Sequence, residues 1–139
     1  MYGNVELCRC IPYRYKEEEI IDDDGNYVRK NEVEVLVVSS QKCQKLMFPK
    51  GGWEMDESVE EAACRECLEE AGVIGMVEAE LGQWSFISKR YGTYYEGHMF
   101  PLFVKEQLDL WPEQHVRTRL WVSTINKFLF FFELNLKFN

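Results

Sequence analysis

The stretch GGWEMDESVEEAACRECLEEAG, Gly51 to Gly72, carries eight acidic residues and a single arginine. Glu57, Glu60, Glu61, Glu66, Glu69 and Glu70 crowd into it, and a helix gains nothing from four-apart pairs of like charge. Asp56 and Ser58 are candidate N-caps, and Gly72 is a candidate C-terminal glycine, so the spacing predicts a helix over Ser58–Ala71. At about 100° per residue, Glu66, Glu69 and Glu70 fall within an arc of about 100°. Cys64, Cys67, Leu68 and Ala71 occupy another arc of similar width, suited to packing on a sheet. The helix is therefore amphipathic, with one carboxylate face and one apolar face.

Three carboxylates on one helix face are oxygen donors suited to Mg²⁺ or Mn²⁺, and no histidine lies near enough to favour zinc. A divalent ion would remove the like-charge penalty and bridge to substrate phosphates. Gly51 and Gly52, just upstream, let the backbone approach an ion closely, and the Gly51 carbonyl is a candidate ligand. Arg65 lies eight residues after Glu57 and is placed to pair with it, clamping the loop to the helix.

Working outward, VELCRCIPYRY (Val5–Tyr15) and EVEVLVVSS (Glu32–Ser40) read as strands. The acidic run EEEIIDDDGN (Glu17–Asn26) reads as a solvated loop with a turn at DDDGN. Leu46–Phe48 is a short strand stopped by Pro49. Met76–Ser88 and Thr93–Gln107 read as two strands joined by a KRYG turn. Arg117 begins a strand-like segment, and the Phe-rich tail beyond it fits helix and strand periodicities alike. Strands, one central helix, strands and a terminal element suggest an α/β sandwich on a mixed sheet.

At 139 residues, with 46% apolar content, nine Phe, seven Tyr and four Trp, the chain suits one domain with a sizeable core. The net charge of −8 argues against a general nucleic-acid binder. The acid is concentrated in two segments, so an anionic substrate remains compatible with it, particularly where a metal neutralises the second cluster. Five cysteines without a recognisable secretory signal predict reduced thiols in an intracellular compartment, buried as small apolar residues. No stretch approaches the ~20 apolar residues of a membrane helix.

Gly51, then Glu57, then Arg65-Glu66-Cys67-Leu68-Glu69-Glu70-Ala71-Gly72-Val73 resembles a complete Nudix box; Cys67 stands where an aliphatic or small residue is usual. The wider chain, about residues 9–122, is similar to plant Nudix hydrolases related to the diphosphoinositol polyphosphate and diadenosine polyphosphate phosphohydrolases. The resemblance implies an α/β/α sandwich with a mixed sheet and a catalytic helix after the Gly-Gly loop. It implies Mg²⁺-dependent hydrolysis of a phosphoanhydride, with Mn²⁺ as a substitute. Carried over by position, Glu66, Glu70 and the Gly51 carbonyl are the expected metal ligands and Glu69 the general base. Arg65 and Glu57 are the expected orienting pair. Arg14, Ser39, Lys50 and Arg117 are candidate substrate-binding residues, the last within HVRTRLW, which resembles a basic stretch of the inositol pyrophosphate enzymes. The expected partner is a small polyphosphate, with no nucleic acid or membrane, on a monomer or weak dimer. The expected compartment is the cytoplasm, with an organelle such as the mitochondrion as the family's alternative. Residues 123–139 depart from the family pattern and read as a divergent tail of one domain spanning 1–139.

Overall fold

The computed structural model describes residues 4–42, 45–88 and 90–123. Its eight strands form one mixed sheet. They are β1 (Asn4–Ile21), β2 (Tyr27–Ser39), β3 (Leu46–Met47), β4 (Lys50–Gly52), β5 (Val73–Val77), β6 (Gly82–Ile87), β7 (Tyr94–Gln107) and β8 (Arg119–Ser123). The central path runs β3-β2-β1-β7-β5, with β4 on β1, β6 on β7 and β8 on β2. β1 and β7 pair in parallel and the other pairs are antiparallel. Helix α1 (Val59–Glu66) continues into a π-helical turn, Cys67–Ala71.

Of the apolar arc read from the sequence, Cys67 and Ala71 are buried while Cys64 and Leu68 stay half-buried; the buried face is carried further by Ala62 and Ala63, which the arc left out. Ala62, Ala63, Cys67 and Ala71 close over Cys8, Cys10, Leu36, Val38, Phe100 and Leu102 from the sheet. A second cluster, Ile11, Val35, Val37, Phe48 and Met99, fills the opposite face. Alternation along β1 and β2 sends successive residues to these two cores, so both strands are buried on both sides at their centre.

Ser58 caps α1. Its hydroxyl accepts from the Glu61 N–H at 3.1 Å, and the Glu61 carboxylate accepts from the Ser58 N–H at 3.0 Å, a reciprocal capping box. Gly72 closes the far end with φ of 67°, the left-handed conformation that favours glycine. The last turn is wider than the α-helix read from the sequence, and such π-turns are common at functional sites.

Three expectations need correction. The acidic run after Tyr15 is not a loop: β1 continues through Glu17–Ile21 and pairs with β2, and only Asp22–Asn26 turns. The register sets Glu18 across from Lys30 and Glu19 across from Arg29, so opposite charges face each other and offset the repulsion within the run. Met76–Ser88 is two strands, β5 and β6, which lie end to end along β7. The break falls beside Pro101, which has no N–H to give the ladder and accepts from the Glu78 N–H at 2.9 Å. Finally, the thiols are not all reduced. Cys10 and Cys67 form a disulfide, because the packing of α1 on β1 brings their Cα atoms to 6.5 Å. Cys8 and Cys64 are free, and burial pushes both thiols up. The helix-or-strand choice for the Phe-rich tail lies outside the described residues.

Candidate active site

β4 and the end of α1 meet at the carboxylate face. Gly51 sits directly beneath Glu66: a Cβ at Gly51 would collide with Glu66 Oε1. Only glycine at 51 leaves the carboxylate this position, so Gly51 is required sterically for it. Glu70 lies between β4 and the segment that leads into β8. Its Oε2 accepts from the Lys50 N–H at 3.1 Å, and its Oε1 accepts from Arg117 Nη2 at 3.2 Å.

Arg65 organises the other side. Its Nη2 donates to Glu57 Oε1 at 2.7 Å and to the Gly52 carbonyl at 2.9 Å. Its Nη1 reaches Glu66 Oε1 at 3.0 Å and Glu69 Oε2 at 3.4 Å. Glu57 in turn accepts from the Glu54 N–H at 2.8 Å, which fixes the loop between β4 and α1. The pairing read from an eight-residue spacing is thus present, and it clamps the loop to the helix. Glu57 is held below its ordinary carboxylate range, first by the Arg65 hydrogen bond and then by the Glu54 N–H.

Glu66 and Glu70 are 8% and 5% exposed, while the Glu69 side chain keeps 40% of its surface. Burial pushes both Glu66 and Glu70 up to about 7, against the opposing pull of Arg65 on the first and Arg117 on the second. These are hard oxygen donors, buried, on one side of the helical segment and against a glycine that admits close approach. Such a set suits Mg²⁺ or Mn²⁺. No three His, Cys, Asp or Glu side chains among the described residues are drawn together as a ready-made cage, because Glu66, Glu69 and Glu70 each take an arginine partner. The residues that could hold a cation are Glu66, Glu70 and the Gly51 carbonyl.

A pH dependence follows. With a folded-state value near 7 against an ordinary 4.5, Glu66 and Glu70 bind more protons folded than unfolded between those limits. The metal-free chain is therefore expected to lose stability as pH rises from about 4.5 through about 7. Thermal melts in EDTA check this, and added Mg²⁺ is expected to raise the Tm more at pH 8 than at pH 5. A Tm in EDTA that climbs over this range would contradict it.

The candidate substrate residues divide. Arg117 is brought to the site: besides Glu70, it donates to Glu113 Oε1 at 3.0 Å and to the Ser39 carbonyl at 2.9 Å. Lys50 is there too, half-buried, with its backbone on Glu70. The Ser39 hydroxyl accepts from the Thr118 N–H at 2.9 Å, so it holds the chain that presents Arg117. Arg14 is placed elsewhere, on Glu34 at 2.9 Å and over the Trp121 ring at 3.9 Å.

Several participants were missed from sequence. Trp111 Nε1 donates to the Glu70 carbonyl at 3.1 Å, and the Glu113 N–H donates to the Glu69 carbonyl at 3.0 Å, so the 109–117 segment supports the π-turn. Arg119 stacks on Trp111 at 3.9 Å and donates to the Ala71 carbonyl at 3.0 Å. The hydrogen bonds from Trp111 and Arg119 to the π-turn span 41 and 48 residues in sequence, and no local pattern announces them. His98 meets Glu80 Oε1 at 2.5 Å and packs on Trp53.

Comparison with known proteins agrees with this architecture. The NUDIX domain family matches residues 22–124. Nudix hydrolase 17, mitochondrial, of Arabidopsis thaliana is 63% identical over 121 residues, covering 87% of this chain and 63% of its own length. Nudix hydrolase 18, mitochondrial, of the same plant is 62% identical, covering 87% of this chain and 65% of its own. The chain thus spans just under two-thirds of either relative. Among solved structures, a NUDIX hydrolase from Nitrosomonas europaea superposes with a TM-score of 0.67 at 19% identity, over 97% of this chain and 79% of that one. The NUDIX domain of Shewanella oneidensis NrtR, complexed with ADP ribose, gives 0.65 at 14% identity, over 93% and 79%. This chain belongs to the Nudix family, and its fold is the Nudix α/β/α sandwich type, with α1 as the helical layer among the described residues.

Proposed function

We propose that the chain is a divalent-metal-dependent pyrophosphohydrolase that cleaves a phosphoanhydride bond in a polyphosphorylated small molecule. The observation that carries this reading is the pair of buried carboxylates, Glu66 and Glu70, set around Gly51 with the more exposed Glu69 beside them. Glu66, Glu70 and the Gly51 carbonyl would hold Mg²⁺ or Mn²⁺. When bound, the ion supplies Lewis-acid polarisation of the phosphoryl oxygens and charge neutralisation.

The chain's own residues supply the rest. Water attacks phosphorus, a new P–O bond forms, and the bond to the bridging oxygen breaks, leaving two phosphorylated products. Glu69 is the group accessible enough to accept the proton of that water. Arg65 fixes Glu69 and Glu66 relative to each other and ties the helix to the Glu57 loop, acting as an orienting residue. Lys50 and Arg117 lie where phosphates beyond the scissile bond would sit; Arg117 also keeps Glu70 in place. Ser39 acts by anchoring the Arg117 segment, while Arg14, bound to Glu34, is a weaker candidate.

The substrate class proposed is a diphosphoinositol polyphosphate or a dinucleoside polyphosphate. A nucleoside diphosphate sugar or NADH is the alternative, and a scaffold that binds ligand with little turnover is a third reading. The domain is proposed to span 1–139. The mitochondrial names of the two plant relatives favour an organelle over the cytoplasm as its compartment. A panel of a diphosphoinositol polyphosphate, diadenosine polyphosphates, ADP-ribose and NADH, incubated with Mg²⁺, tests this. Turnover of one class, abolished by EDTA and by Glu69→Gln, supports the proposal. Turnover independent of metal, or none by a folded chain that is still stabilised by ligand, overturns it in favour of the binding reading.

A further inference from the structure

Arg9 lies at the centre of β1, between Cys8 and Cys10. Alternation places it on the Ile11 face of the sheet, away from α1. It is 2% exposed. Its Nε is the one buried side-chain nitrogen or oxygen among the described residues that lacks a hydrogen-bond partner. A buried guanidinium with an idle donor is costly, and folded chains seldom leave one without a use.

Its surroundings are built around it. The Trp84 ring lies 5.4 Å from Cζ. That ring has room because residue 97 is glycine; a Cβ there would collide with it. Across the β1–β4 register, Arg9 stands opposite Lys50, so both side chains lie on the same face. The backbone of Lys50 holds Glu70, and Arg117 binds the other oxygen of that carboxylate. Glu70 is the acid that acts on Arg9, whose guanidinium burial pushes down to about 10. Glu70, itself a candidate cation ligand, thus pairs with Arg117 and also acts on Arg9. Cation–π attraction to Trp84 offsets part of the burial of Arg9 and satisfies no N–H.

We propose that Arg9 is a phosphate-binding residue, donating to non-bridging oxygens of the substrate beside Lys50, on the side of Glu70 away from α1. A tetrahedral polyanion fits what is there: a buried Nε donor without a partner, Lys50 on the same face and a planar guanidinium that matches phosphate geometry. This inference rests on the pyrophosphohydrolase reading and assigns the grip on the phosphate chain to a residue outside the box.

The test uses the full chain with Glu69→Gln in the background, so that the probe is not consumed. Binding of inorganic tripolyphosphate with Mg²⁺ is measured by calorimetry for that parent, for added Arg9→Met and for added Arg9→Lys. Loss of charged hydrogen bonds is expected to weaken binding by about tenfold to a hundredfold in the Met variant. The Lys variant, which keeps the charge and loses the fork, is expected between the two. The Met variant is expected to melt no lower than its parent, since it removes a buried guanidinium whose Nε has no partner. A purely structural role predicts the opposite: a lower Tm with tripolyphosphate affinity unchanged. Unchanged affinity in the Met variant, unfolding of both variants, or no binding by the parent overturns the assignment. Arg9-dependent binding without turnover of any panel compound by the unmutated chain overturns the pyrophosphohydrolase reading alone.

Discussion

Glu66→Gln is expected to lower kcat/KM on the responsive polyphosphate by on the order of 10²–10³-fold while the chain stays folded. Glu66 is buried against Gly51 and gains a single short ion pair, with Arg65 Nη1 at 3.0 Å. Glutamine has the same shape and keeps an oxygen for that donor, so the packing survives. Arg65 retains Glu57 at 2.7 Å and the Gly52 carbonyl at 2.9 Å, so the loop clamp survives as well. What disappears is the negative charge that a divalent cation needs. Because that charge is desolvated and faces Glu69, its removal is expected to leave the Tm in EDTA at pH 8 unchanged or higher, and to abolish the stabilisation by Mg²⁺. Steady-state kinetics beside thermal melts check both halves. A variant that keeps near-normal activity would remove Glu66 from the proposed ligand set. One that unfolds would show that the carboxylate is structural.

Gly75→Ala is expected to have the largest effect on stability, about 2–3 kcal/mol. Gly75 lies at the irregularity in the β5–β7 register, between Ile74 and Gly75. A Cβ there would collide with the Phe103 carbonyl oxygen and come within 2.8 Å of Leu102 Cδ2. Both obstacles belong to β7, the strand that also carries β6 and pairs with β1, so neither yields without moving the sheet. Gly51 presents the contrasting case, since its obstacle is the end of one flexible carboxylate. For a domain of this size the cost corresponds to a Tm lower by about 6–12 °C. A melt within about 2 °C of the unmutated chain would show that β5 shifts freely on β7.

The site was legible in the sequence to the extent that it is local. The 3.6-residue period set Glu66, Glu69 and Glu70 on one side of the helical segment and Cys67 and Ala71 on the buried side, but it missed Ala62 and Ala63. The capping box, the closing Gly72 and the pairing of Arg65 with Glu57 all lie within a few turns, so residue order carries them. The β-hairpin was half legible. DDDGN marked the turn, but the acidic residues before it read as loop, because their stabilising partners, Lys30 and Arg29, lie on the next strand. The single strand read over Met76–Ser88 failed for a similar reason: the break is imposed by Pro101 on the neighbouring strand.

By itself, then, the sequence determined the helix, its carboxylate face and the Gly-Gly pair ahead of it, and with them the Nudix family of the chain. Only the tertiary structure decided what surrounds those carboxylates. Arg117 reaches Glu70 across 47 residues, Trp111 across 41, and Cys67 meets Cys10 across 57. Arg9, an isolated arginine in an apolar strand, became conspicuous only once the sheet had closed around its unpaired Nε. The physical reason is common to all of these. Helical periodicity and capping are written in neighbouring residues. Burial, which raises Glu66 and Glu70 and strands the charge of Arg9, arises only when distant strands come together.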